Sequence, residues 1–216
     1  MKQPRIVVAD DHELIAEGIA GLLRANYHVA GLVADGRQLL ADVERLRPDL
    51  VTLDIGMPLL NGLEAAKQLL KLHPRLKIVF VTQQIDARYL RAALAAGAMG
   101  FVAKQSASAE LLTAVRRALL GQTYITPLLA EAYRELLARD SGGTDMSLRD
   151  PLTTRQREVL QLVAEGHTMR FISGTLKISR KTVEFHKASL MTALGLHTTA
   201  DLIRYAIAEG IITDRT

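Results

Sequence analysis

A chain of 216 residues, about half of them apolar, can bury a full core in one large domain or two small ones. It has no cysteine, which excludes disulfides, thiolate metal sites and a thiol nucleophile, and fits a reducing compartment. The net charge is only +4, but it is unevenly spread: residues 1–145 carry 17 Lys/Arg against 16 Asp/Glu, and residues 146–216 carry 10 against 7. The opening residues Met1 to Arg5 lead straight into a strand without the apolar core of a signal peptide. No apolar run approaches the roughly 18 residues that span a bilayer, so the expected location is the cytoplasm.

The first 120 residues alternate between two periods. Short apolar runs at 5–9, 28–33, 50–53, 77–82 and 99–103 read as buried strands. Between and after them, helical spacing predicts helices near 12–25, 36–46, 61–72, 86–96 and 108–120. Leu14, Ile15, Ile19, Leu22 and Leu23 carry the stripe of the first helix in spite of Gly18 and Gly21. Five strand-then-helix repeats predict a doubly wound parallel sheet. There is no G-x-G-x-x-G after the first strand and no G-x-x-x-x-G-K, which argues against a dinucleotide site and a P-loop.

A further helical run extends from Pro127 to Arg139, with Pro127 suited to a first turn. Ser141-Gly142-Gly143-Thr144-Asp145 then breaks the pattern and reads as a linker. The predicted division is 1–121, a helical extension and linker over 122–150, and a second domain over 151–216.

From Thr153 the pattern is all helical. Thr153 and Gln156 form a possible capping box ahead of Val159, Leu160, Leu162 and Val163, and Gly166 ends that helix. A short helix follows from Thr168 to about Lys177. Ile178-Ser179 makes a tight turn, Ser179 can cap a helix to about Leu194, Gly195 stops it, and Thr198 to Ala208 is the last helix. Two helices joined by a tight turn, the second rich in cations near its start, is a helix-turn-helix layout.

The chemistry concentrates at the ends of two strands. Asp54 follows the run Leu50 to Leu53, and Asp10-Asp11 follow Ile6 to Ala9. In open parallel sheets, ligand chemistry gathers at the carboxyl ends of strands. If both strands are central, three carboxylates converge. Carboxylates within about 4 Å repel by about 4 kcal/mol per pair at an effective dielectric near 20, and a divalent cation relieves this. Oxygen donors without sulfur favour Mg²⁺.

Residues 5–120 resemble a response-regulator receiver domain. The residues that carry the resemblance are Asp10-Asp11, Asp54, Met57-Pro58, Gly62, Thr82, Gly97, and Phe101 with Lys104 three residues on. Residues 152–205 resemble the LuxR/NarL/FixJ-type DNA-binding domain, through Leu152-Thr153, Arg155, Arg157 to Leu160, Gly166, Ile178-Ser179, Thr182-Val183, His186 and Leu194-Gly195. The resemblance implies a flavodoxin-like (βα)5 receiver followed by a four-helix helix-turn-helix domain. It implies a transcription factor, not a turnover enzyme, with Asp54 phosphorylated by a sensor histidine kinase. Asp11, Asp54 and the Gly56 carbonyl would hold Mg²⁺, with Asp10 acting through water. Lys104 would meet a phosphoryl oxygen, Thr82 would bond it, and Phe101 would rotate inward or remain a core aromatic. The phosphorylated protein would dimerise and bind double-stranded DNA.

In the second domain, Arg180, Lys181, Thr182, Glu184, Phe185 and Lys187 occupy the first turns of the presumed recognition helix. Lys181 and Lys187 suit phosphates, Glu184 a cytosine amino group and Phe185 a thymine methyl. Val183 and Leu190 read as core. His186 and His197 lack partners at metal spacing.

The sequence also departs from the family. Gln83 stands where a small residue is usual and could crowd the phosphoryl position. Gly56 and Gln84 hold positions that tune dephosphorylation. Gln105 replaces a common proline, Met169-Arg170-Phe171 replaces a polar run, and Ala193 stands where many members have Lys. Gln83 leaves open a regulator that binds DNA without phosphorylation, its receiver serving for dimerisation or ligand sensing.

Overall fold

The computed structural model describes residues 3–140 and 152–212, excepting the side chains of 136–140. The expected linker at 141–145 lies outside the described residues. The chain forms two compact units.

The first unit is an all-parallel sheet of β1 (Arg5–Ala9), β2 (His28–Val33), β3 (Leu50–Leu53), β4 (Lys77–Thr82), β5 (Gly100–Ala103) and β6 (Tyr124–Ile125), in the order β2-β1-β3-β4-β5-β6. Strands β3, β4 and β5 are almost wholly buried, as a sheet covered on both faces requires of its centre. The helices are α1 (Glu13–Arg24), α2 (Gly36–Leu46), α3 (Gly62–Leu72), α4 (Ala87–Ala95), α5 (Ala107–Leu119) and α6 (Ala130–Asp140). Helices α1 and α5 pack on one face against Ile6, Val8, Leu50, Val79, Val81 and Val102. α2, α3 and α4 neighbour one another on the other face, as right-handed crossovers demand. The strand order reverses between β1 and β3, so the crevice of the fold opens at that switch point.

Local chemistry sets the helix starts. The Asp35 carboxylate accepts from the main-chain N–H of Arg37 and Gln38 to cap α2, and Asp86 accepts from Arg88 to cap α4.

Three expectations are revised. The sheet has a sixth strand: Tyr124 and Ile125 pair with Gly100 and Phe101, where the sequence suggested only the approach to a helix. Two residues show no periodicity, and their pairing is a tertiary effect. The helical run from Pro127 begins as a 3₁₀ turn, Pro127–Leu129, before α6. In α1 the core positions are Ala16, Ile19, Ala20 and Leu23, while Leu14 is 91% exposed. The alanines join the buried cluster, and Leu14 falls with Gly18 and Gly21 on the solvent side.

The second unit contains α7 (Thr154–Ala164), α8 (Met169–Leu176), α9 (Arg180–Leu194) and α10 (Thr199–Ala208). Its core holds Leu152, Val159, Leu160, Leu162, Ile172, Leu176, Val183, Leu190, Leu202 and Ala206. Thr153 with Gln156, and Thr198 with Asp201, close capping boxes on α7 and α10. Lys177 takes a left-handed conformation after α8, the sharp turn that lets α9 start at once under the Ser179 cap. No helix among the described residues is long and apolar enough to cross a membrane.

Candidate functional site

Strand register builds the acidic pocket. Ala9 lies opposite Leu53, and the Asp54 N–H donates to the Ala9 carbonyl at 2.9 Å, so Asp10 and Asp54 leave neighbouring strands side by side. Thr82 lies opposite Ala103, which places Lys104 one residue beyond the same edge. Gly62 closes the pocket from behind. A Cβ at this position would overlap the Asp54 carbonyl oxygen, so only glycine lets α3 start so close to β3. The Gly62 N–H donates to the Ile55 carbonyl at 2.9 Å and fixes that approach.

The carboxylates are removed from solvent: Asp10 is 3% and Asp54 4% exposed. The Lys104 ammonium lies 2.8 Å from Asp10 Oδ2 and 2.8 Å from Asp54 Oδ2, bridging the two. Asp54 Oδ1 accepts from the Ile55 N–H at 2.8 Å, and Asp10 Oδ1 from the His12 N–H at 3.0 Å. Burial pushes the Asp10 carboxyl above its ordinary range, against the opposing pull of Lys104. For Lys104, burial disfavours the ammonium, but the charge of Asp54 and the hydrogen bonds to both carboxylates outweigh it and hold the pKa above normal.

Asp10, Asp11, Asp54 and His12 each place a potential ligand atom within 4.8 Å of the others. His12 was not foreseen. Its Nδ1 lies 3.0 Å from Asp11 Oδ1, and the only hint in the sequence is its place directly after the acidic pair. Gly56 lies half-buried in the bend two residues past Asp54.

Gln83 is exposed. The glutamine that matters is Gln84, whose Oε1 accepts the hydrogen bond of the fully buried Thr82 hydroxyl. Phe101 is already fully enclosed, tilted against Phe80 with ring centroids 6.4 Å apart. It therefore has no exposed position here from which to rotate inward. Lys104 and Gln105 open a 3₁₀ turn, Lys104–Ser106, and no peptide bond among the described residues is cis.

In the second unit, Arg180, Lys181, Glu184 and Phe185 are exposed on α9, with Phe185 at 67%. Thr182 is half-buried, its hydroxyl 2.8 Å from Ser179 Oγ, so it supports the cap. The half-buried Lys187 donates through Nζ to Thr199 Oγ1 at 2.9 Å. Val183 and Leu190 are fully buried, as their spacing predicted. His186 meets Phe185 edge to face. Phe171 is partly exposed and stacks on His167 with centroids 4.2 Å apart.

Residues 6–116 match the response regulator receiver domain, and residues 150–206 match the bacterial regulatory proteins of the luxR family. The chain belongs to the two-component response regulators with a LuxR-type DNA-binding domain. The oxygen regulatory protein NreC of Staphylococcus haemolyticus is 32% identical over 214 residues, covering 96% of this chain and 99% of that protein. The transcriptional regulatory protein DegU of Brevibacillus brevis is 31% identical, covering 98% and 96%. Among solved structures, the response regulator RcsB of Salmonella typhimurium aligns with a TM-score of 0.64 at 27% identity, over 97% of this chain and 99% of that one. RcsB bound to a promoter in the presence of the phosphomimetic BeF3− aligns at 0.60 and 26%, over 96% and 100%. As a response regulator, this protein controls transcription under a phosphorylation switch.

Proposed function

We propose that Asp54 is the phosphoacceptor of this response regulator and that a sensor histidine kinase is its donor. The observation that carries the reading is Lys104, held at 2.8 Å from both Asp10 and Asp54 in a buried pocket at the switch point of the sheet. An Asp54 carboxylate oxygen attacks the phosphorus of the donor in line, the bond from phosphorus to the donor atom breaks, and an aspartyl phosphate forms. To attack, Asp54 must exchange one of its two partners, the Ile55 N–H or the Lys104 ammonium. Lys104 sits where it can follow the charge onto a phosphoryl oxygen. Thr82 would donate its hydroxyl to another.

The donor set fits Mg²⁺. Its carboxylates are crowded and desolvated, and burial already disfavours the charge on Asp10. Asp11, Asp54 and the Gly56 carbonyl would hold the ion directly, and Asp10 through water. The ion would supply screening of negative charge during transfer.

The DNA end follows the same logic. Arg180, Lys181 and Lys187 would contact phosphates, while Thr182, Glu184 and Phe185 face the groove from the first turns of α9. Thr182 would do so only after yielding its bond to Ser179. Two copies paired on phosphorylation would engage half-sites about one helical turn apart. The receiver takes in 1–121 and, past that expected boundary, β6; the rest of 122–150 is the extension and linker, and the DNA-binding domain corresponds to 151–216. The setting is the cytoplasm, and the protein modifies itself without turning over a substrate. The rival reading, DNA binding independent of phosphorylation, rests on Gln83, and DNA binding in cells left unchanged by Asp54→Ala would favour it.

The test is incubation with Mg²⁺ and a small acyl-phosphate donor, read by intact mass and light scattering. One added phosphoryl group that requires both Asp54 and Mg²⁺, with a shift towards dimer, is expected. Equal uptake by Asp54→Ala would overturn the assignment.

A further inference from the structure

The hydroxyl of Thr82 is already in use. It donates to Gln84 Oε1, and the Gln84 N–H donates back to Thr82 Oγ1 at 3.2 Å. Thr82 is fully buried, so no solvent competes for that proton. A hydroxyl has one proton to give. If Thr82 is to bond a phosphoryl oxygen on Asp54, it must first release Gln84.

We propose that the Gln84 carboxamide is a latch that holds the Thr82 hydroxyl in the resting receiver and biases the switch towards its off state. This rests on the phosphoacceptor role of Asp54 for its consequence, but the latch itself is a property of the resting protein. Three features favour it. Phe101 is enclosed already, tilted against Phe80, so it offers no exposed ring for the switch to draw in. The segment after Thr82 is short: only Gln83, Gln84 and Ile85 precede Asp86, whose side chain caps α4. Gln83 and Ile85 are exposed, whereas Gln84 turns back to bond Thr82 at the pocket edge. Breaking the bond between Thr82 and Gln84 therefore loosens the approach to α4 at the moment the hydroxyl turns to the phosphoryl group.

Gln84 is a positioning residue on this account, and Gln84→Met keeps its length while removing the acceptor. Mg²⁺ and beryllofluoride are titrated into the full chain as Gln84→Met, Thr82→Val, the double variant and the wild type. Loss of one neutral hydrogen bond from the resting state predicts that Gln84→Met binds the anion about threefold to tenfold more tightly. In the Thr82→Val background the same change has no effect. A gain of equal size in both backgrounds, or no gain in either, overturns the latch. Hydrogen exchange over residues 83–86 of the resting protein is the second measurement. Faster exchange in Gln84→Met and in Thr82→Val, without further increase in the double variant, is expected. Unchanged exchange overturns the latch even where the anion fails to bind. Failure of the wild type to bind beryllofluoride, with the exchange result intact, would instead count against the phosphoacceptor assignment.

Discussion

Lys104 and Lys181 present the same ammonium in opposite ways. Lys104 has 7% of its side chain exposed and is pinned between two carboxylates delivered by separate strands. Lys181 stands exposed on the first turn of α9, held only by a helix whose start is fixed by Ser179. A phosphoryl pocket needs several groups at fixed distances in low dielectric, and only a sheet edge can bring them from distant parts of the chain. A DNA-facing surface needs cations that adapt to a large partner, and one capped helix is enough. Substitutions in the first site should therefore disturb folding, while those in the second should leave it untouched.

The largest effect is expected for Lys104→Met, which leaves Asp10 and Asp54 buried without their cation. Breaking such a pair should destabilise the receiver by about 3–5 kcal/mol in denaturant unfolding, with Mg²⁺ restoring part of the loss. Gly62→Ala comes next, because its Cβ must displace the Asp54 backbone or the start of α3. A loss of about 3 kcal/mol in the same assay is expected. A silent result in either would break the contrast between the two regions.

Asp10→Asn sharpens the contrast through pH. Burial raises the Asp10 pKa above 3.8, so the folded state binds its proton more tightly than the unfolded state. That contribution stabilises the protein below pH 3.8 and is lost as pH rises through the higher folded value. The stability of Asp10→Asn relative to wild type should therefore improve as pH rises across that window, measured by unfolding at a series of pH values.

Smaller effects are expected in the second unit. Thr153→Ala removes a helix cap and should lower its stability by about 1 kcal/mol in thermal unfolding. Lys181→Ala should change stability by less than about 0.5 kcal/mol. It should weaken DNA binding and reduce the slope of log affinity against log salt by about 0.9 if it neutralises one phosphate.

Much of this was legible in the sequence because local rules decided it. Strands of four to six apolar residues and the capping box at Thr153 depend on neighbours in the chain. The convergence of Asp10 with Asp54 followed from parallel strands once both were taken as central. What stayed hidden depended on tertiary choices. Gln83 and Gln84 are the same residue type in adjacent positions, and only the path of the loop decides which one turns towards Thr82. Leu14, read as part of the stripe of α1, lies 91% exposed, while Ala16 is buried in its place. Phe101 carried no sign in the sequence of which way it faced.

The short β6 has a practical consequence for how the receiver can be cut. Gly100 and Phe101 have their outer neighbours in Tyr124 and Ile125, and the Thr126 N–H donates to the Phe101 carbonyl at 2.8 Å. A fragment ending at residue 121 would strip that cover and turn β5 into a bare edge, free to recruit another strand. A fragment carried through Leu129 keeps the edge closed, so the smallest well-behaved receiver is longer than its five strand-and-helix repeats.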